Sequence, residues 1–121
     1  AGVDFVPSNE KLHFASVLAF HKASRVLHVD DTLNYLPFPF GARLSFHPTL
    51  GKVLQGRPEA ASEFRAWAET LIERCQDVDR VCTAHARIAP SGSLGSIAGQ
   101  VRAALEREAK TLAEHERKTA P

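Results

Sequence analysis

The chain has 121 residues, of which 44% are hydrophobic and 24% are charged, and its formal net charge is +1. This length suits a single domain over residues 1–121, and the composition is that of a globular chain rather than a disordered or fibrous one. Fifteen basic and fourteen acidic residues nearly balance, which argues against capture of nucleic acid or of an anionic membrane by charge. The longest mostly apolar run, residues 14–20, is far shorter than the roughly 20 residues of a membrane helix.

The two cysteines, Cys75 and Cys82, lie near the end of a predicted helix and inside a predicted strand. They lack the CxxC spacing of a zinc or redox pair. Buried thiols in this arrangement are more typical of a reducing compartment than of a disulfide framework, and the amino end shows no secretory-signal pattern. We therefore expect free thiols and a cytoplasmic protein.

The first part of the chain has the pattern of a β-hairpin. Residues 12–20 and 25–29 are rich in β-forming side chains, and only a short connection separates them. In the second strand Val26 and Leu27 point to opposite faces, so we expect this strand to be covered on both sides. The prolines and glycine between residues 37 and 41 then predict a loop, and residues 44–46 predict a third short strand.

Two helices follow in the second half of the chain. Residues 57–75 have apolar side chains at helical spacing, with Pro58 in the first turn. Residues 79–84 predict a short buried strand, and Ser93 suits the N-cap of a long second helix. This order predicts an α/β (α+β) domain in which two long helices cover one face of a short mixed sheet. The other face then needs a further part of the chain or a partner subunit, such as a second copy in a homodimer.

The doublet Asp30-Asp31 comes directly after the strand of residues 25–29. Open α/β sheets place functional groups at the carboxyl ends of their strands, because those ends open onto a crevice. One alternative is that either aspartate caps a helical turn over residues 32–36 by accepting a backbone N–H. Another is the acidic pocket of a flavodoxin-like receiver domain, although a hairpin does not suit the parallel βαβ opening of that fold.

Histidines are the second group of candidate ligands, because a neutral imidazole is the commonest metal ligand in proteins. His85 follows the strand of residues 79–84 as Asp31 follows the strand of residues 25–29. Two metal-binding side chains therefore leave neighbouring strand ends and can converge on one ion. His13 opens the strand that should pair with the Asp31 strand, so we expect it near the same edge of the sheet.

The order His13, Asp31, His85, each at a strand end, resembles the carboxy-terminal half of the metallo-β-lactamase superfamily. In that family a hairpin ends in Gly-Asp-Thr-Leu, and a later strand ends in a last histidine that is often followed by glycine. The corresponding residues here are Asp30-Asp31-Thr32-Leu33 and His85-Ala86. The helix, strand, helix order after the hairpin also agrees, so the resemblance extends from residue 12 to about residue 112.

The resemblance implies half of an αββα sandwich with zinc, or else iron or manganese, at the shared edge, and two ions in a complete domain. It implies that His13 binds one ion, that Asp31 bridges two ions and that His85 binds the second. Such ions lower the pKa of a shared water, whose hydroxide attacks an ester, thioester, lactam or phosphodiester. Loops form the substrate pocket in that family, so Phe38 and Phe40 are expected on one wall.

The chain also departs from the family pattern. The motif His-x-His-x-Asp-His, which supplies the other ligands, does not occur in it, so we expect an amino-terminal half outside this chain and no activity without it. Asp30 and Ala86 stand where the family has glycines. The alternative is a non-catalytic interaction or dimerisation domain with a degenerate metal site, in which the uncovered face of the sheet is the interface.

Overall fold

The structure is a computed structural model that describes residues 3–6, 18–29, 33–38, 41–46, 54, 56–83, 88–92 and 95–120. For residues 3–6, 18, 36–38, 41 and 42 the description covers the backbone alone. Its elements in chain order are β1 (Val3–Val6), β2 (Leu18–His21), β3 (Val26–His28), β4 (Leu33–Phe38), β5 (Gly41–Phe46), α1 (Ala60–Arg74), a 3₁₀ turn (Cys75–Asp77), β6 (Arg80–Cys82), β7 (Ile88–Pro90), α2 (Ile97–Arg107) and α3 (Ala109–Thr119). This mixture of helices and strands confirms the predicted α+β class.

The described residues form two sheets, and the larger has five strands in the order β1-β2-β3-β6-β7. The pair β3 and β6 is parallel, and every other neighbouring pair in this sheet is antiparallel. The predicted hairpin is confirmed over β2 and β3, which a turn over residues 22–25 connects. Arg25 ends that turn at a φ of 57°, and its N–H donates to the carbonyl of His21 at 2.9 Å.

One face of the five-stranded sheet is buried in the core, and the described residues of the other face are half-buried or exposed. A row of register partners on the buried face consists of Phe20, Leu27, Val81 and Ala89. The next row, on the opposite face, consists of Ala19, His28, Cys82 and Ile88. His28 and Ile88 are exposed there. The prediction that strand 25–29 is covered on both sides is therefore wrong, because its residues alternate between a buried and an exposed face.

Helix α1 confirms the predicted helix over residues 57–75, although it begins at Ala60. Residues 57–59 form a turn in which the carbonyl of Arg57 accepts the N–H of Ala60 at 3.2 Å, so Pro58 precedes the helix. The side chain of Phe64 on α1 is fully buried, and its ring meets Phe46 of β5 edge-on with centroids 5.1 Å apart. This contact joins the smaller sheet to α1, and β5 also packs against α2.

The predicted second helix is two helices that meet at Glu108. Its N-cap is Ser96 rather than the predicted Ser93, which lies outside the described residues. The Ser96 hydroxyl accepts the N–H of Gly99 at 3.1 Å, and this satisfies one of the free donors in the first turn. Within the described ranges no helix combines the length and the apolar character needed to cross a membrane.

The smaller sheet is a hairpin of β4 and β5, in which Leu33 pairs with Phe46 and Phe38 pairs with Gly41. Two predictions are wrong here, since residues 33–36 are extended rather than helical, and Pro37 and Gly41 of the expected loop lie in paired strands. Pro39, the other residue of that expected loop, lies outside the described residues. Pro37 is compatible with this strand because a two-stranded sheet consists only of edge strands.

Candidate metal-binding edge of the sheet

Strands β3 and β6 finish at the same end of the five-stranded sheet. Their last residues, His28 and Cys82, are partners in the parallel register. The N–H of Val29 also donates to the carbonyl of Cys82 at 2.9 Å, so the pairing continues one residue beyond β3. The chain therefore leaves both strands side by side.

The antiparallel strands also start or finish at this end. β1 finishes opposite the start of β2, and β7 starts opposite the end of β6. We call this end of the sheet the ligand edge and define it by Val6, Leu18, His28, Cys82 and Ile88. Three connecting segments start from it along the chain, namely residues 7–17, 29–32 and 83–87.

Each connecting segment of the ligand edge contains one predicted metal ligand. His13 belongs to the first segment, Asp31 to the second and His85 to the third. All three lie outside the described residues, as does Phe40, so the predicted ligand set and its geometry stay a prediction. Phe38, the other predicted pocket residue, ends β4 and is described in its backbone alone.

The residues that lead into two of these segments are buried. Val29 and Thr83 each have an exposed fraction of 7%. The chain thus enters the segments of Asp31 and His85 from inside the protein rather than from its surface.

The structure bears on two alternative roles for the aspartate doublet. The predicted helical turn over residues 32–36 is wrong for Leu33–Phe38, which is a strand, while Asp30, Asp31 and Thr32 lie outside the described residues. The receiver-domain alternative requires parallel strands at the start of the chain, whereas β1, β2 and β3 are antiparallel.

The described part of the chain contains no group of three or more His, Cys, Asp or Glu side chains that could hold a metal ion. Cys75 and Cys82 are both free thiols, as predicted. Burial raises the pKa of the Cys75 thiol to about 12, which makes it a poor ligand and a poor nucleophile. Cys82 is half-buried at the ligand edge, on the same face as His28.

The structure also brings together residues that the sequence did not single out. A cavity of about 220 Å³ between β5 and α2 is lined by Arg43, Leu44, Gln100, Ala103 and Arg107. Gln100 could have indicated this site from the sequence, because it is a polar residue that shares the buried side of α2 with apolar residues. A buried amide needs hydrogen-bond partners, so its position predicts a polar site.

Comparisons with models of protein families, with curated proteins and with solved structures find no match for this chain. The resemblance to the metallo-β-lactamase superfamily therefore depends on the motifs named above, and it stays a proposal.

Proposed function

We propose that this chain is part of a metal-dependent hydrolase of the metallo-β-lactamase type and that its metal ligands come from the ligand edge. The observation that carries the proposal is the parallel register of His28 with Cys82. Asp31 and His85 each follow those residues by three positions. Three residues extend the chain by at most about 10 Å. Asp31 and His85 therefore each lie within about 10 Å of chain from one member of the His28–Cys82 pair.

The donor set suits a transition metal. Imidazole and carboxylate groups bind zinc, iron and manganese, and a carboxylate has two oxygens with which to bridge a pair of ions. In this proposal His13 and His85 would each hold an ion, and the Asp31 carboxylate would be shared between the two. A bound dication would polarise the substrate and lower the pKa of a water molecule toward neutrality.

The reaction class follows from that chemistry. A nucleophile of this kind suits hydrolysis at a carbonyl or phosphoryl centre, as in an ester, thioester, lactam or phosphodiester. Phe38 and Phe40 are proposed for an apolar wall of the substrate pocket on the resemblance alone, because Phe38 ends β4, five strand positions beyond Leu33. A cytoplasmic location is proposed from the sequence, because two cysteines without the pattern of a disulfide framework suit a reducing compartment.

We propose that a second layer outside this chain covers the face of the five-stranded sheet that carries His28 and Ile88. Ile88 lies on that face with 55% of its surface exposed, and it is the single large hydrophobic residue that is exposed among the described residues. An amino-terminal half that carries the remaining ligands would cover this face in an αββα sandwich. The 121-residue chain is then expected to be inactive by itself.

Metal analysis of the full-length protein tests the proposal. We expect the purified protein to contain a transition metal, and we expect Asp31→Ala and His85→Ala to lose at least half of it. His21→Ala and Asp77→Ala are matched controls, since both side chains are exposed and distant from the ligand edge along their elements. A wild-type protein without transition metal, or unchanged content in both ligand variants, would contradict the proposal.

The exposure of Ile88 on one face of the five-stranded sheet also favours a second candidate function, that of a non-catalytic dimerisation domain. In that case a second copy of the chain covers the face. Light scattering of the wild-type protein and of Ile88→Lys separates the two functions. A wild-type dimer that dissociates in the variant, together with absence of metal, supports this candidate, and a wild-type monomer excludes it.

A further inference from the structure

The side chain of Arg25 joins the turn before β3 to the segment before β6. Its Nε donates to the carbonyl of Asp77 at 3.0 Å and lies 3.6 Å from a carboxylate oxygen of Asp79. The backbone carbonyl of Arg25 also accepts the N–H of Asp79 at 2.8 Å. We call these three contacts the Arg25 clamp. The clamp holds the start of β3 beside the start of β6 through both the backbone and the side chain.

The segment that Arg25 contacts is anchored in the core. Asp77 ends the 3₁₀ turn that follows α1, and the first residue of that turn, Cys75, is fully buried. The N–H of Val78 donates to the carbonyl of Cys75 at 3.1 Å, and Val78 is itself buried. Arg25 therefore binds a carbonyl whose position depends on α1 and the core rather than on the strands of the sheet.

Arg25 has a backbone conformation that favours glycine. Its φ is 57°, in the left-handed region, where the Cβ of an L residue crowds the following carbonyl. Glycine adopts this φ without that steric cost. An arginine thus occupies a position where the turn by itself favours glycine, and the contacts of its side chain offset the steric cost.

The packing of Leu27 with Val81 restricts the register of β3 against β6. A shift of one residue would move one of these two side chains from the buried face to the opposite face. A shift of two residues would keep both on the buried face, because side chains alternate along a strand with a period of two. Such a shift would displace the end of β3 by about 7 Å along β6. It would also separate Arg25 from Asp77 and Asp79, so the Arg25 clamp opposes it.

We propose that Arg25 is a positioning residue for the predicted metal site, because its clamp excludes the two-residue shift. This role rests on the proposed function, in which Asp31 and His85 follow the ends of β3 and β6. A displacement of about 7 Å is far larger than a metal–ligand bond of about 2 Å, so it would separate two ligands of one metal centre. The contacts of Arg25 at one end of the sheet therefore set the relative position of the ligand segments at the other end.

Disulfide formation with the native Cys82 measures the register without a metal. His28 is the register partner of Cys82, and neighbouring strands lie about 4.8 Å apart, which suits a disulfide. Val26 lies on the same face two positions earlier and would become the partner of Cys82 only after the shift. His28→Cys therefore reports the native register, and Val26→Cys reports the shifted one.

Each reporter is combined with Arg25→Gly or with the matched control Ala23→Gly, which places a glycine in the same exposed turn and leaves the Arg25 clamp in place. Peptide mass spectrometry of the full chain in glutathione disulfide measures both rates of cross-linking to Cys82. Arg25→Gly should lower the ratio of the native rate to the shifted rate at least tenfold, and Ala23→Gly should leave it within about twofold. An unchanged ratio in Arg25→Gly would overturn the proposal.

Co²⁺ titration of the full-length protein separates a failure of this role from a failure of the proposed function. Arg25→Gly should weaken Co²⁺ binding at least tenfold and change the visible absorption at saturation, whereas Ala23→Gly should do neither. A wild type that binds no Co²⁺ would overturn the proposed function, and the cross-linking ratio would still test the Arg25 clamp. Equal affinity and equal absorption in the wild type and Arg25→Gly would overturn the positioning role.

Arg25→Gly is expected to fold, because the Arg25 side chain is 51% exposed and glycine suits its φ. Circular dichroism checks this. If the variant unfolds, Arg25→Asn takes its place in both experiments, since asparagine also tolerates the left-handed region and is too short to replace the guanidinium contacts.

Discussion

His28 and Cys82 lie opposite each other on the two parallel strands at the centre of the larger sheet, although 54 positions of sequence separate them. The segments of Asp31 and His85 begin at this pair. The pairing therefore links the two predicted ligands through a short, hydrogen-bonded part of the backbone.

If Asp31 and His85 bind the same metal centre, their replacement should not be additive. We expect Asp31→Ala and His85→Ala each to weaken Co²⁺ binding at least about tenfold. The double variant should bind no more than about threefold more weakly than the weaker-binding single variant, because the first replacement already removes the interaction that the two residues share. Visible absorption during Co²⁺ titration of the full-length protein measures this. Fully additive losses would show that the two residues act independently.

Phe64 should be the most sensitive core position on α1. Its ring is fully buried between Phe46 and Trp67, whose centroids lie 5.1 and 5.9 Å away. Phe64→Ala should lower the free energy of unfolding by about 3–5 kcal/mol, since it leaves a cavity, whereas Phe64→Leu should cost less than about 2 kcal/mol. Urea unfolding followed by circular dichroism measures both. Similar values for the two variants would argue against close packing at this site.

Ser96 should contribute a measurable helix cap. Its hydroxyl accepts the N–H of Gly99, which has no partner inside α2. Ser96→Ala should lower the free energy of unfolding by about 1 kcal/mol, whereas Ser91→Ala, at an exposed position outside the helix, should change it by less than about 0.5 kcal/mol. Thermal unfolding of both variants is the measurement, and equal effects would mean that Ser96 is no cap.

Cys75 should make stability depend on pH in the alkaline range. Burial raises the pKa of its thiol to about 12 in the folded chain, while the unfolded thiol ionises near its ordinary value of 9.0. Between these values the unfolded state releases a proton that the folded state keeps, so the free energy of unfolding falls as pH rises, by up to about 1.4 kcal/mol per unit. Below pH 9.0 this contribution to stability is fully present.

The comparison of wild type with Cys75→Ala isolates that contribution from other alkaline titrations. The difference in stability between the two proteins should shrink as pH rises from 9 to 11, and iodoacetamide at pH 8 should label Cys82 much faster than Cys75 in the folded protein. A difference that stays constant with pH, or equal labelling of both thiols, would contradict a buried, protonated Cys75.

Several elements could be predicted because their signals are local. The apolar spacing in α1 and the β-rich residues of β2 and β3 are properties of consecutive positions, and the structure confirms them. The hairpin of β4 and β5 could not be predicted in the same way, because Pro37 and Gly41 are as common in loops as at hairpin ends. Leu33 and Phe46 favour the hairpin over a loop because both are buried in the core, and that burial depends on distant residues.

The amino-acid sequence alone determined the α+β class, the candidate ligands and the absence of a strong charge, since these depend on residue types and local periodicity. Tertiary structure decided which strands are neighbours. The register of β3 with β6 comes from the packing of Leu27 and Val81 in one buried row, and the Arg43–Gln100–Arg107 cavity comes from the packing of α2 on β5. Hydrogen bonds and side-chain contacts between distant segments form only when the whole core assembles, so no local pattern encodes them.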